Sequence, residues 1–354
     1  MPAEIRTVGI VGAGAMGSGI AQVALEAGCS VRICDRALDV AASARDRIEA
    51  GLRRRSAKDG HPASWVAACL GRLDLAPGVE TAVASADLVI EAAFEDLAAK
   101  EALFRSIAAA APTHAILATN TSALSVTAIA GATPCPERVI GLHFFNPAPV
   151  MRLVEVVATE QADPAVIDIA MALMAAWGKT PVRCSDAPGF IVNRVNRPFT
   201  IEALRMLEAG EADVPTIDAA IGAAGFPMGP FELMDLIGID VNLAAARGVY
   251  EGLGRPDRLR PSPIQEGLVA AGHLGRKSGE GFYRTEPGGT AVAAVRPDRP
   301  ALATLGDDAI VERIVGAIDA EARIAESEGV ATAADIDLAL RLGAGHPPRT
   351  PRLR

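Results

Sequence analysis

Aromatic residues are scarce, at 4% of the 354 positions, so a core must be built from Ala, Val, Leu and Ile. Long apolar runs are missing too. Nothing approaches the roughly 18 uncharged apolar residues of a membrane-spanning helix, which leaves no expectation of a membrane partner. The opening MPAEIRTVGIVGAG lacks the basic-then-apolar order of a secretory leader, and the cytoplasm is the expected compartment. The five cysteines form no C-x-x-C pair and sit at no metal-ligand spacing with histidines, so no metal is expected. Net positive charge is absent as well. At −9 the chain lacks the basic surface that nucleic-acid binding requires.

What is present begins with a strand–turn–helix–strand pattern over residues 7–35. Further short apolar runs follow at 87–90, 115–118 and 139–142, the early ones separated by helical stretches. Strands alternating with helices predict a mainly parallel, doubly wound sheet of the Rossmann type over 1–185. Beyond about residue 186 the strand signals fade. An all-helical second domain is expected over 186–285, then a Gly/Pro-rich linker at 286–300. The segment 301–354 reads as a partial helical repeat, a truncated second copy of the helical domain. Residues 310–340 match 191–221 at a constant offset of 119, with nine identities that include Arg194/Arg313, Glu202/Glu321, Gly210/Gly329 and Asp218/Asp337.

Gly12, Gly14 and Gly17, with Met16 between the last two, form a G-x-G-x-x-G loop between a strand and a helix. The first glycine permits the tight turn, the second lets backbone approach a pyrophosphate, and the third lets helix and strand pack closely. The next strand ends in Asp35, placed to bond a ribose hydroxyl pair and repel a 2′-phosphate, which favours NAD over NADP. Arg36 is a group that tolerates such a phosphate, and an FAD-binding loop has the same glycines.

A second constellation lies in VIGLHFFNPAPVMRLVEVV. His143 ends a strand, and Glu155 stands twelve residues on in a returning strand. An imidazole backed by a carboxylate suits proton transfer to and from a secondary alcohol. Residues 45–58 form a third feature, with six basic and two acidic groups.

Five motifs, Thr119–Leu124, His143–Pro147, Pro188–Arg194, Phe226–Leu233 and Gly279–Tyr283, resemble the 3-hydroxyacyl-CoA dehydrogenase family, in the family's order and over about residues 5–284. The likeness is greatest to the short enzymes acting on 3-hydroxybutyryl-CoA. The resemblance implies NAD-dependent oxidation of an (S)-3-hydroxyacyl-CoA thioester, with His143 as acid/base and Glu155 as its charged partner. It implies that Ser122 bonds the substrate's 3-oxygen, that Asn193 holds its carbonyl, and that Lys58 contacts coenzyme A. Asn146 would position the nicotinamide, while Glu95, Lys100 and Lys277 would contact NAD. It further implies a homodimer formed through the helical domain. Two alternatives use the same fold: a non-catalytic NAD- or acyl-CoA-binding or structural protein, and a 3-hydroxyacid dehydrogenase that needs no CoA.

Overall fold

The computed structural model describes residues 5–286, 291–295 and 305–348. Two compact units divide after Ala187.

The first unit is an eight-stranded sheet of order β3-β2-β1-β4-β5-β6-β7-β8. Its strands are β1 (Thr7–Val11), β2 (Ser30–Cys34), β3 (Leu73–Leu75), β4 (Leu88–Glu91), β5 (Ile116–Thr119), β6 (Val139–Phe144), β7 (Leu153–Ala158) and β8 (Thr180–Ser185). The strands β1 to β6 run parallel, whereas β7 pairs antiparallel with β6 and parallel with β8. Helices α1 (Ala15–Glu26), α2 (Leu38–Asp59), α3 (Ala63–Leu70), α4 (Val79–Val83), α5 (Leu97–Ala110), α6 (Val126–Gly131) and α7 (Pro164–Ala176) connect them. Strand β1 lies between β2 and β4, so the chain reverses its winding there. The crevice outside the strand carboxyl ends at such a switch point is where open α/β sheets take ligands.

Central strands buried on both faces must be apolar throughout. Val8, Ile10, Val31, Ile33, Leu88 and Ile90 are all within 1% of full burial, and each contributes about 1.5–3 kcal/mol. With few aromatics, small residues bring the layers together. An added Cβ on Gly9 would lie 2.9 Å from the Ala82 carbonyl oxygen.

The second unit contains α8 (Val192–Val195), α9 (Arg197–Ala209), α10 (Val214–Ala223), α11 (Pro230–Ile237), α12 (Ile239–Gly252), α13 (Pro263–Ala270), α14 (Asp307–Ser327) and α15 (Ala333–Gly343). Buried Ile310, Ile314 and Ile318 recur every four residues and give α14 one apolar stripe. The unit is not purely helical. Strand β9 (Tyr283–Thr285) pairs antiparallel with β10 (Ala291–Ala293). Part of the expected linker at 286–300 is therefore a strand, because the short Ala-Val-Ala run supplies backbone that pairs with Tyr283–Thr285. Residues 287–290, 296–304 and 349–354 of the expected linker and tail lie outside the described residues. No described helix is long and apolar enough to cross a membrane.

Candidate active site

The glycine loop, the His143–Glu155 pair and the loop after β5 meet at one edge of the sheet. Because β6 runs parallel to β5, β4 and β1, its carboxyl end opens on the edge where Gly12 follows β1. His143 is the penultimate residue of β6, and its register partner on β7 is Glu155. Directly opposed residues on antiparallel strands point to the same face. His143 Nδ1 is accordingly 2.6 Å from Glu155 Oε2. The histidine is 6% exposed and the glutamate 0%, so water competes little for this contact. Phe145 lies against the imidazole, with ring centroids 4.5 Å apart.

The glycine loop fits a dinucleotide. Gly12 has φ 104°, and a Cβ there would meet the Ala92 carbonyl oxygen at 2.5 Å. At Gly17 a Cβ would fall 1.8 Å from the Gly12 carbonyl oxygen, so helix α1 can approach β1 only without a side chain. At Gly14, by contrast, a Cβ would enter open space, which leaves the backbone at the start of α1 accessible to a phosphate. Met16 is half-buried in the first turn of that helix. Asp35 follows β2, and its carboxylate accepts the N–H groups of Ala13 and Arg36, each at 2.7 Å. These bonds fix it beside the loop.

The loop after β5 is tied down by polar side chains. Glu95 Oε1 accepts the Thr121 hydroxyl at 2.6 Å and the Ser122 N–H at 2.9 Å. Asn120 Oδ1 accepts the N–H of Phe144, beside His143, at 2.9 Å. Lys100 is expected to contact NAD. Its side chain is 1% exposed and its ammonium lies 2.6 Å from Glu91 Oε1 and 3.4 Å from Glu95 Oε2. Glu91 also accepts the Thr119 hydroxyl at 2.7 Å. Lys100 thus stands beneath the 92–96 loop, and Glu95 links it to Ser122.

Asn146 is exposed, in a cis Asn146–Pro147 peptide. The loop that carries it is held by Lys179, whose ammonium donates to the carbonyls of Ala148 and Met151 at 2.5 and 3.0 Å. Burial pushes that ammonium down to about 8. Asp186 ties α6 in the same way, accepting from the Ser125 hydroxyl and from the N–H groups of Val126 and Thr127.

The basic stretch on α2 is only partly available for a phosphate. Arg47 donates to the Ala13 carbonyl at 2.6 Å and so belongs to the glycine loop. Arg53 pairs with Glu49, and Arg55 with Asp59. Lys58 is exposed near the end of the helix. Gly51 leaves room there for the end of the Gln22 side chain, whose Oε1 would lie 2.0 Å from a Cβ and would have to swing away. In the second unit Asn193 is half-buried on α8, and Lys277 is exposed and paired with Asp240, whose carboxyl it holds below the usual range.

Glu91, Lys179 and Asp186 are supporting residues outside the motifs, and Thr119 and Asn120 lie in the Thr119–Leu124 motif with no role assigned from the sequence. Glu91 alone carried a signal, a charge closing the otherwise apolar strand Leu88–Glu91.

The comparisons with known proteins give the family. The family model described as 3-hydroxyacyl-CoA dehydrogenase, NAD binding domain, matches residues 7–187, and the model of the C-terminal domain of the same enzymes matches 189–285. The chain belongs to the 3-hydroxyacyl-CoA dehydrogenase family. Its cofactor is NAD. A relative in the family, the 3-hydroxyadipyl-CoA dehydrogenase of Escherichia coli, is 47% identical over 284 residues, 80% of this chain and 60% of that protein. The chain thus spans less than two thirds of that relative. The human mitochondrial hydroxyacyl-coenzyme A dehydrogenase is 41% identical over 79% of this chain and 91% of its own length. Among solved structures, a 3-hydroxybutyryl-CoA dehydrogenase of Escherichia coli matches with TM-score 0.89 and 38% identity, covering 97% of this chain and 90% of that chain. An (S)-3-hydroxybutyryl-CoA dehydrogenase of Ralstonia eutropha matches with TM-score 0.77 and 36% identity, covering 80% of this chain and all of that one.

Proposed function

We propose that this dehydrogenase oxidises the 3-hydroxyl of short (S)-3-hydroxyacyl-CoA thioesters and catalyses the reverse reduction. The observation that carries the reading is the 2.6 Å contact between His143 and Glu155 at the carboxyl end of β6. Glu155 orients the ring and favours a proton on Nδ1, so Nε2 is the nitrogen that exchanges a proton with the substrate hydroxyl. As the imidazole takes that proton, the neighbouring carboxylate stabilises the cation. When bound, NAD supplies the hydride acceptor. Gly12, Gly14, Gly17 and Met16 would hold its pyrophosphate region, and Asp35 its adenosine ribose. Ser122, fixed through Glu95, would bond the 3-oxygen. Asn193 would hold the thioester carbonyl, and Lys58 would meet a phosphate of coenzyme A. Asn146 would position the nicotinamide, and Glu95 and Lys277 would contact NAD, with Lys100 acting from beneath Glu95. A homodimer built by the helical unit and a cytoplasmic location complete the reading.

Absorbance at 340 nm, followed with acetoacetyl-CoA and NADH, tests the activity. Turnover is expected with NADH well above NADPH, and with the thioester well above free acetoacetate. No turnover would favour a binding protein, and equal turnover of free acetoacetate a CoA-independent enzyme. Because one relative is named for 3-hydroxyadipyl-CoA, the acyl panel includes a chain ending in a second carboxylate.

A further inference from the structure

Arg197 is a charge in a place where stability alone would not put one. It is the first residue of α9, at the positive end of the helix dipole, where acidic side chains are favoured and cations are not. It is also buried, with 6% of its surface exposed. Burying an ion is costly unless an opposite charge goes with it. Three other arginines of this unit have that partner. Arg194 pairs with Glu321 and Glu328, Arg205 with Glu202, and Arg313 with Glu202 and Glu211. Arg197 differs. Among the described residues its side chain makes one hydrogen bond, from Nε to the Asn193 carbonyl at 3.2 Å, and meets no carboxylate. Uncompensated burial pulls the guanidinium down to about 10. Its Nη groups, the planar fork that grips a carboxylate with two parallel bonds, therefore have no protein partner among the described residues.

The position of Arg197 selects the anion. It follows Asn193 by four residues, so the two stand on one helical face about 6 Å apart along the axis. The bond from Nε to the Asn193 carbonyl ties them together. Asn193 is the residue assigned above to the thioester carbonyl. A six-carbon acyl chain, with five bonds of about 1.5 Å between its end carbons, covers a similar distance when extended. The phosphates of coenzyme A are separated from the thioester by the whole pantetheine arm, too far for a side chain one turn from Asn193.

We propose that Arg197 is a specificity residue that receives the terminal carboxylate of a dicarboxyl 3-hydroxyacyl-CoA. The inference rests on the 3-hydroxyacyl-CoA reading of the site and goes beyond it by naming the acyl class and the residue that selects it. A bound carboxylate gives the buried cation its counter-charge. A chain of the same length ending in a methyl group leaves the guanidinium desolvated and unpaired, so the residue discriminates against it as well as attracting its own substrate.

The test uses the full-length enzyme and acyl chains of equal length. For the parent, kcat/KM is expected to be roughly 10–100-fold higher for 3-hydroxyadipyl-CoA than for 3-hydroxyhexanoyl-CoA, the scale of a hydrogen bond to a charged group, with the difference chiefly in KM. In Arg197→Met the ratio is expected to approach one, and in Arg197→Lys, which keeps the charge without the fork, to lie between. Equal kcat/KM for the two thioesters in the parent, or a ratio that survives Arg197→Met, would overturn the proposal. Calorimetric binding of adipyl-CoA and hexanoyl-CoA, which carry no 3-hydroxyl, gives a readout that needs no turnover. The parent is expected to prefer adipyl-CoA and Arg197→Met to lose that preference. Equal weakening of both ligands in the variant would assign the guanidinium to the coenzyme A phosphates and reject the carboxylate site. Should Arg197→Met fold poorly, the parent's two preferences and Arg197→Lys still decide. If neither hydroxyacyl thioester is turned over while adipyl-CoA keeps an advantage that depends on Arg197, the dehydrogenase reading fails and the carboxylate site stands.

Discussion

Two buried ion-pairing contacts, one in each unit, have nearly the same geometry and opposite uses. His143 and Glu155 are 2.6 Å apart, and Arg194 and Glu321 2.8 Å apart. In both, a nearly inaccessible carboxylate meets a nitrogen donor from a neighbouring element. The difference lies in what the nitrogen can do. An imidazole gains and loses a proton near neutral pH, whereas a guanidinium stays charged under all physiological conditions. The first pair sits where a sheet ends in loops and can take part in a reaction. The second sits between packed helices, where a permanent charge holds one register. A short contact in a buried place therefore identifies no chemistry until the donor's titration range and its place in the fold are known.

The largest effect should come from the first pair. His143→Gln is expected to lower turnover by roughly 10²–10⁴, the scale of an acid–base group, with melting temperature and NADH binding retained. Parent-like turnover would remove His143 from its role. The second pair should respond in the opposite currency. Glu321→Ala removes the buried one of the two carboxylates that pair with Arg194, leaving Glu328, and should cost up to about 3–5 kcal/mol in urea unfolding, with turnover per folded molecule at the parent value. A loss of turnover without a loss of stability would erase the contrast between the pairs.

A smaller effect concerns close packing near the site. Gly51→Ser on α2 must displace Gln22 and should destabilise by about 1–3 kcal/mol, read as a lower denaturation midpoint. An unchanged midpoint would show that α1 and α2 can separate at no cost. The smallest effect is a pH dependence. The hydrogen bond from Arg194 holds the Glu328 carboxyl below its ordinary value of 4.5. The folded state then binds this proton more weakly than the unfolded chain. The contribution is complete above the ordinary value and is lost as the pH falls through the lower folded one. With Glu328 49% exposed, it is worth at most about 1 kcal/mol. Parent and Glu328→Gln should differ slightly in melting temperature at neutral pH and converge in acid. A difference that grows in acid would contradict this sign.

Much of this was legible in the residue pattern, and the reasons are local. The glycine loop, β1, β2 and Asp35 lie within thirty residues and each obeys a strict steric or polar requirement. His143 and Glu155 were legible because a strand, a Pro-rich loop and a returning strand place them in register. Strand β3 was not, since three residues with two exposed carry no alternation. Strand β8 escaped notice because Thr180-Pro181-Val182-Arg183 is half polar, as an edge strand tolerates. Strand β10 was hidden in a Gly/Pro-rich stretch that reads as linker. The burial of Lys100 was invisible because Glu91, nine residues earlier, belongs to another element. The repeat showed that two copies exist. Only coordinates could show that residues 127 positions apart close on each other.

The central claim is that His143 and Glu155 work as one unit, and a double-mutant cycle tests it directly. Turnover with acetoacetyl-CoA and NADH would be compared for the parent, His143→Gln, Glu155→Gln and the double variant. If the carboxylate acts only through the imidazole, the double variant should match His143→Gln to within about threefold. Losses that multiply, so that Glu155→Gln costs the same factor with or without His143, would contradict the account.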